Sequence, residues 1–151
     1  SDHPFSSVGV DTMNWETSSE GPLLVSARVT RTRGKLLVEQ RITNTGLAPL
    51  SQLELRLLYD HGELRPHGLD RVAVSHMLPG DSHSEEMWLE PRHEVQDLPL
   101  ALRVRASDPA GASAECRLEL GLFSYHLHGR PYTGPVRGAL RVERALSRDA
   151  H

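Results

Sequence analysis

The sequence predicts an all-β protein, an antiparallel β-sandwich of about seven or eight strands, and three observations support this fold class. Apolar and polar residues alternate with a period of two in successive runs between Leu23 and Phe123. Turn-forming sequences separate these runs at the spacing typical of a sandwich. Helical periodicity is nearly absent before residue 135.

Seven runs show this alternation, and the apolar residues of each fall on one face. In chain order the runs are residues 23–30, 35–43, 51–59, 69–78, 82–90, 98–106 and 112–123. The residues predicted to face the core are Leu23, Val25, Ala27, Val29, Leu36, Val38, Ile42, Leu53, Leu55, Leu57, Tyr59, Val72, Val74, Leu78, Met87, Leu89, Leu98, Leu100, Leu102, Val104, Ala114, Cys116, Leu118 and Leu120. Strands with one buried face are typical of two antiparallel sheets packed together. The sequence therefore predicts an immunoglobulin-like sandwich, in which the third, sixth and seventh strands share a sheet.

Turn signals account for the breaks between the runs. The sequences "RGK" (33–35), "NTGLAP" (44–49), "PGD" (79–81) and "DPAG" (108–111) contain the glycine, proline, asparagine and aspartate typical of turns. The sequence "DHGELRPHG" (60–68) is predicted to be a longer loop. "DPAG" is the strongest hairpin signal, because proline at its second position and glycine at its fourth suit a type I turn.

Two flanking segments surround the predicted sandwich domain, which spans residues 22–123. Residues 1–21 are expected to be a polar lead-in or linker, whose Phe5 and Trp15 either pack onto the sandwich or act as a peptide-like ligand. Residues 124–151 are expected to form a loop and then either a short C-terminal helix or an edge strand. Because both ends resemble linkers, the chain is expected to be a piece of a larger protein.

Composition argues against several classes of function. The net charge of −3 gives no indication of a nucleic acid partner, and no segment reaches the ~18 consecutive apolar residues of a membrane span. Cys116 is the only cysteine, and its inward position predicts a buried, inert thiol that fits a reducing, cytoplasmic location. We find no catalytic constellation or phosphate-binding loop, so we expect a soluble, non-enzymatic protein without a cofactor.

Two histidines raise an alternative, a metal-binding protein or a metal-dependent enzyme. In "SYHLHG", His126 and His128 would project from one face of a strand, about 7 Å apart. Zinc and iron sites contain such pairs, but they require a third ligand, for which His61, His67, His83 and His93 are the histidine candidates. A third reading, a carbohydrate-binding sandwich, would depend on Trp88, Tyr125 and Tyr132 as exposed aromatic residues.

Arginines on the shared sheet are the candidate binding residues. Arg56, Arg103, Arg105 and Arg117 are predicted to lie on its outer face, beside Glu54, Glu115 and Glu119. This surface is either a docking site for an acidic partner or a solvated face with cross-strand Arg–Glu pairs, and the interleaved signs favour the second alternative.

Residues 36–58 ("LLVEQRITNTGLAPLSQLELRLL") followed by residues 74–90 ("VSHMLPGDSHSEEMWLE") carry a family resemblance. This pattern resembles the CARDB-like cell-surface adhesion modules and the adaptin ears, or appendage domains, of cytosolic trafficking adaptors, over about residues 23–120. The "NTG" sequence also has a mechanical explanation, since Asn44 tolerates left-handed backbone and Gly46 accepts positive φ. The adaptin ears imply a module that docks short aromatic peptides in a shallow groove, although no groove residue can be matched here.

The leading prediction is an adaptor-like module of a larger protein or assembly that binds another protein or peptide. Binding would use a sheet face, an edge strand or the loops. The sequence gives no oligomeric state.

Overall fold

The computed structural model describes residues 10–12, 14–126 and 140–143 of the chain, with the side chains of residues 14–126. These residues form eleven strands and no helix, and they contain no helix capable of spanning a membrane. The strands are β1 (Val10–Thr12), β2 (Glu16–Glu20), β3 (Leu23–Thr32), β4 (Lys35–Asn44), β5 (Leu50–Leu58), β6 (Leu64–Pro66), β7 (Arg71–Met77), β8 (Ser82–Pro91), β9 (Val95–Ser107), β10 (Ser113–Tyr125) and β11 (Leu140–Glu143).

The strands form two antiparallel sheets, which confirms the predicted fold class. One sheet has the order β1-β3-β4-β8-β6, with β2 also paired to β3, and the other has the order β11-β10-β9-β5-β7. The seven predicted runs correspond to β3, β4, β5, β7, β8, β9 and β10. The third, sixth and seventh runs are neighbours in one sheet, as expected, and the fourth, β7, extends that sheet beyond β5.

The inner faces of the two sheets form one apolar core. The alternation in β3, for example, places Leu23, Val25, Ala27 and Val29 at 2% exposure or less. Across the sandwich, β10 contacts β3 and contributes Phe123, which is fully buried. Leucine, valine and alanine supply most of this core, as the scarcity of aromatic residues requires.

Leu78 is a correction to the predicted core, because its side chain is 54% exposed. Strand β7 ends one residue earlier, at Met77, which is buried in its place. The backbone N–H of Leu78 donates to Asp81 Oδ2 at 3.0 Å, and its carbonyl accepts from the N–H of Asp81. The alternation already breaks within β7, where Ser75 and His76 are both exposed and Met77 is buried, and the turn contacts then take Leu78 out of the strand.

The explanation of "NTG" by left-handed backbone is also wrong, since neither Asn44 nor Gly46 has a positive φ. Asn44 is fully buried, and its Nδ2 donates to the carbonyls of Ala48 and Met77 while its Oδ1 accepts from the N–H of Gly46. A Cβ at position 46 would lie 2.9 Å from Pro22 Cβ. Asparagine is therefore required for its hydrogen bonds, and glycine for its small size.

Three strands lie where the sequence predicts a linker or a loop. Strands β1 and β2 lie within residues 1–21, and β6 lies within the predicted 60–68 loop. In the C-terminal segment, for which the sequence leaves both a helix and an edge strand open, β11 is an edge strand paired with β10. Trp15 packs on the outer face of its sheet, with its ring centre 4.8 Å from Arg28 Cζ. Phe5 lies outside the described residues.

Candidate functional site

The outer face of the β10-β9-β5-β7 sheet brings four arginines into one cross-strand row. Arg117 is opposite Arg103, Arg103 is opposite Arg56, and Arg56 is opposite Arg71. We call these four residues the arginine row. It crosses four strands, one arginine from each.

The local sequence fixes the outward direction of each side chain. Arg56 lies between Leu55 and Leu57, both of which are buried, and Arg103 lies between Leu102 and Val104, which are also buried. Because successive side chains of a strand alternate between faces, these two arginines point away from the core. The same argument applies to Arg117, whose neighbours Cys116 and Leu118 are buried.

Contacts at the start of β7 position Arg71. The Tyr59 hydroxyl donates to Asp70 Oδ2 at 2.5 Å, and the N–H of Leu57 donates to the carbonyl of Asp70 at 3.0 Å. Burial is the main cause that raises the pKa of Tyr59 far above its usual value, and the hydrogen bond to Asp70 raises it further. The hydrogen bond from the Tyr59 hydroxyl holds Asp70 beside β5.

A second row on the same face lies two residues further along each strand, and its side chains alternate between negative and positive charge. Glu115 is opposite Arg105, and Arg105 is opposite Glu54. Glu54 lies 3.7 Å from both Arg71 Nε and Arg105 Nη2. This distance permits an ion pair without a hydrogen bond, and exposed pairs of this kind contribute at most about 1 kcal/mol.

The middle of the arginine row lacks acidic partners within the described residues. At its outer end, Arg117 Nε donates to Glu119 Oε2 at 2.6 Å, whereas neither Arg56 nor Arg103 forms an ion pair with a residue that the structure describes. Arg103 Nε is buried and has no hydrogen-bond acceptor in the described part of the chain. Like charges directly opposite each other destabilise a sheet, and an unsatisfied buried donor costs about 1–3 kcal/mol.

The structure thus places the four predicted arginines on one face and adds a fifth, Arg71. Each of the two alternatives drawn from the sequence has a structural basis. The Arg–Glu pairs of the second row fit a solvated face, and the uniformly positive arginine row fits a docking site for an acidic partner. Sequence reasoning missed Arg71 because its position depends on the register between β5 and β7. The signal that could have identified it is the arginine near the start of the fourth predicted run, residues 69–78, but the sequence does not assign that run to this sheet.

An open depression of about 830 Å³ adjoins the face. Its lining includes Arg105 and Glu54 together with the inward-facing residues Val74, Ala106 and Ala114. The depression thus adjoins the second row of the face, and none of the four residues of the arginine row lines it.

The alternative sites are not assembled in the described residues. His126 is exposed just after β10, and His128 lies outside the described residues. Among the residues described, no group of three or more His, Cys, Asp or Glu side chains could hold a metal ion. His83 and His93 lie instead within 2.8 Å of Glu85 and Glu63, respectively. Of the aromatic residues suggested for a carbohydrate site, Trp88 and Tyr125 are only partly exposed, and Tyr132 lies outside the described residues.

Comparison with known proteins gives a likeness in structure but none in sequence. No family model matches the chain, and no curated protein matches it. Among solved structures, the GAE domain of GGA2p from Saccharomyces cerevisiae matches with a TM-score of 0.52 and 17% sequence identity, covering 71% of this chain and 94% of that domain. At this identity the likeness shows the fold alone. The protein is therefore an all-β sandwich with a fold similar to that of a GAE, or adaptin-ear, domain.

Proposed function

We propose that this protein is a non-enzymatic, adaptor-like module that binds another protein through the outer face of the β10-β9-β5-β7 sheet. The observation that carries the proposal is the arginine row, in which Arg56 and Arg103 lie side by side without ion pairs in the described residues. A face selected only for solubility would be expected to alternate the two signs, as the neighbouring row does. The row instead concentrates positive charge, which an acidic partner would neutralise.

The fold supports the same proposal. Its likeness to an adaptin-ear domain accords with the resemblance carried by residues 36–58 and 74–90, and that resemblance implies a binding module. Cys116 is buried and unpaired, which suits a reducing environment. A cytoplasmic location is therefore part of the proposal.

A matched pair of double variants tests the docking face. The purified protein is used as bait in a lysate of the source organism, and captured proteins are identified and then tested again in purified form. We expect Arg56→Ala/Arg103→Ala to lose the partner that the unchanged protein retains. The control, Arg33→Ala/Arg41→Ala, removes the same charge from outside this face and should retain the partner.

Circular dichroism of each variant shows whether the sandwich is intact. If a correctly folded Arg56→Ala/Arg103→Ala protein binds its purified partner with unchanged affinity, the docking face has been assigned wrongly. Equal loss in both double variants would indicate a general charge effect and would also contradict the proposal.

A further inference from the structure

The spacing of the arginine row indicates the form of the ligand. We infer that the row binds an extended acidic segment of a partner protein, laid across the strands, with a carboxylate at every second residue. This inference rests on the proposed function and specifies its ligand.

The geometry of strands supplies the match in length. Neighbouring strands lie about 4.8 Å apart, so a row from β10 to β7 spans about 14 Å. In an extended peptide, side chains on one side recur about every 6.7 Å. Three acidic side chains at alternate positions therefore cover about 13 Å, close to the length of the row, whereas three consecutive acidic residues would point to opposite sides.

The charges around the row restrict the ligand to a single line. On one side of the arginine row lies the second row, which contains Glu54 and Glu115. On the other side lies Glu119, opposite Ala101. A ligand wider than one extended chain would bring its negative charges close to these glutamates. The net charge of −3 on the whole chain also disfavours a nucleic acid, which carries a wide and continuous negative charge.

Arg103 has the central role in this arrangement. It lies between Arg56 and Arg117 in the row, and neither it nor Arg56 forms an ion pair within the described residues. The middle carboxylate of three would lie between Arg103 and Arg56 and would reduce the repulsion between these two guanidinium groups. Arginine forms bidentate hydrogen bonds to carboxylates, which lysine does not.

Glu54 competes with the ligand. Its carboxylate lies 3.7 Å from Arg71 Nε, at one end of the row, and 3.7 Å from Arg105 Nη2. A neutral side chain at this position would free Arg71 and remove a repulsive charge. Loss of this acidic residue should therefore strengthen the binding of an acidic ligand.

Two labelled peptides of identical composition test the inference by fluorescence polarisation. In GSESESESG the three glutamates alternate, and in GSSEEESSG they are consecutive. We expect the alternating peptide to bind at least about five-fold more tightly at about 50 mM salt, and to weaken strongly at about 500 mM salt. Arg103→Ala should weaken its binding about ten-fold, Glu54→Gln should strengthen it about three-fold, and Arg41→Ala, outside this sheet, should leave it unchanged.

The outcomes separate this inference from the function on which it rests. If both peptides bind equally and both depend on Arg103, the spacing is wrong although the docking face stands. If Arg103→Ala does not weaken peptide binding, or if neither peptide binds, the inference is overturned. Capture of a partner protein that Arg56→Ala/Arg103→Ala fails to bind would still support the proposed function. If an oligothymidylate of similar length binds more tightly than the alternating peptide, the preferred ligand is a nucleic acid, and the inference is overturned as well.

Discussion

Asn44 joins two turns that are distant in the sequence. Its Nδ2 donates to the carbonyl of Ala48 at 2.9 Å and to that of Met77, at the end of β7, at 3.1 Å. Its own backbone carbonyl accepts from the N–H of Gly80 at 2.7 Å. One buried amide thus connects the turn after β4 with the turn before β8, and so links the two sheets.

Replacement of Asn44 by alanine should lower the free energy of unfolding by about 2–4 kcal/mol. The substitution leaves the carbonyl of Met77 without its partner in a buried site, and it removes the partly buried hydrogen bonds to the carbonyl of Ala48 and from the N–H of Gly46. Urea denaturation followed by circular dichroism measures the change.

A nearby surface hydrogen bond provides the control for Asn44. Thr43 Oγ1 and Ser82 Oγ lie 2.8 Å apart at an exposed position. Thr43→Ala should therefore cost less than about 1 kcal/mol. Equal effects of the two substitutions would show that burial does not make the Asn44 hydrogen bonds important.

The sequence predicts that residues 44–46 form a turn, but it does not show why the turn requires asparagine and glycine. "NTG" indicates a turn because asparagine and glycine are typical of turns. The residues that require them, Pro22 and Met77, lie far away along the chain. Only the fold brings those residues to Asn44 and Gly46, so local reasoning supplied the wrong mechanism.

The long strands could be predicted because each contains several alternating apolar residues. Strands β3, β4, β5 and β10 bury the side chains that the alternation assigns to the core, with only their ends partly exposed. Strands β1, β6 and β11 have three or four residues each, too few to establish a period of two. Their pairing depends on neighbours already in place, which the local sequence does not record.

At the candidate site, too, one part of the arrangement follows from the sequence of single strands and another part depends on how the strands pair. The outward direction of Arg56, Arg103, Arg105 and Arg117 follows from alternation within single strands. Their arrangement into a row with Arg71 follows from the registers of β10, β9, β5 and β7. A shift of one residue in any register would break the row, so the sequence could predict the face but not the row.

The hairpin between β3 and β4 offers a stabilising substitution. Its two-residue turn has positive φ at both positions, 47° at Arg33 and 82° at Gly34. A type I′ turn of this kind favours asparagine followed by glycine. Arg33→Asn should therefore raise the free energy of unfolding by about 0.5 kcal/mol, because asparagine tolerates left-handed backbone better than arginine.

Chemical denaturation of Arg33→Asn and Arg33→Ala separates the backbone effect from the charge effect. Both substitutions remove the positive charge, but alanine retains the steric penalty at positive φ. We expect only asparagine to stabilise the protein. The same gain in both variants would attribute it to the lost charge and would contradict the turn argument.

At the scale of the whole molecule, the two sheets share a single core, so the sandwich is expected to unfold as one unit. Cys116 can report on this cooperativity. It is the fourth residue of β10, opposite Val104 of β9, and its side chain is 3% exposed. A thiol reagent can reach it only when the core opens, because its side chain points inward between the two sheets and is buried.

We therefore expect Cys116 to react with a disulfide reagent such as Ellman's reagent only through opening of the core. In native buffer the reaction should be slow, and the urea concentration at which it accelerates should match the unfolding midpoint measured by circular dichroism. Ser75→Cys in a Cys116→Ala background places the only thiol at an exposed position and should react promptly without urea. If Cys116 reacted as fast as this control, β10 would have to separate from the core without global unfolding, and the face that carries Arg117 could not be the rigid surface on which a ligand-binding row depends.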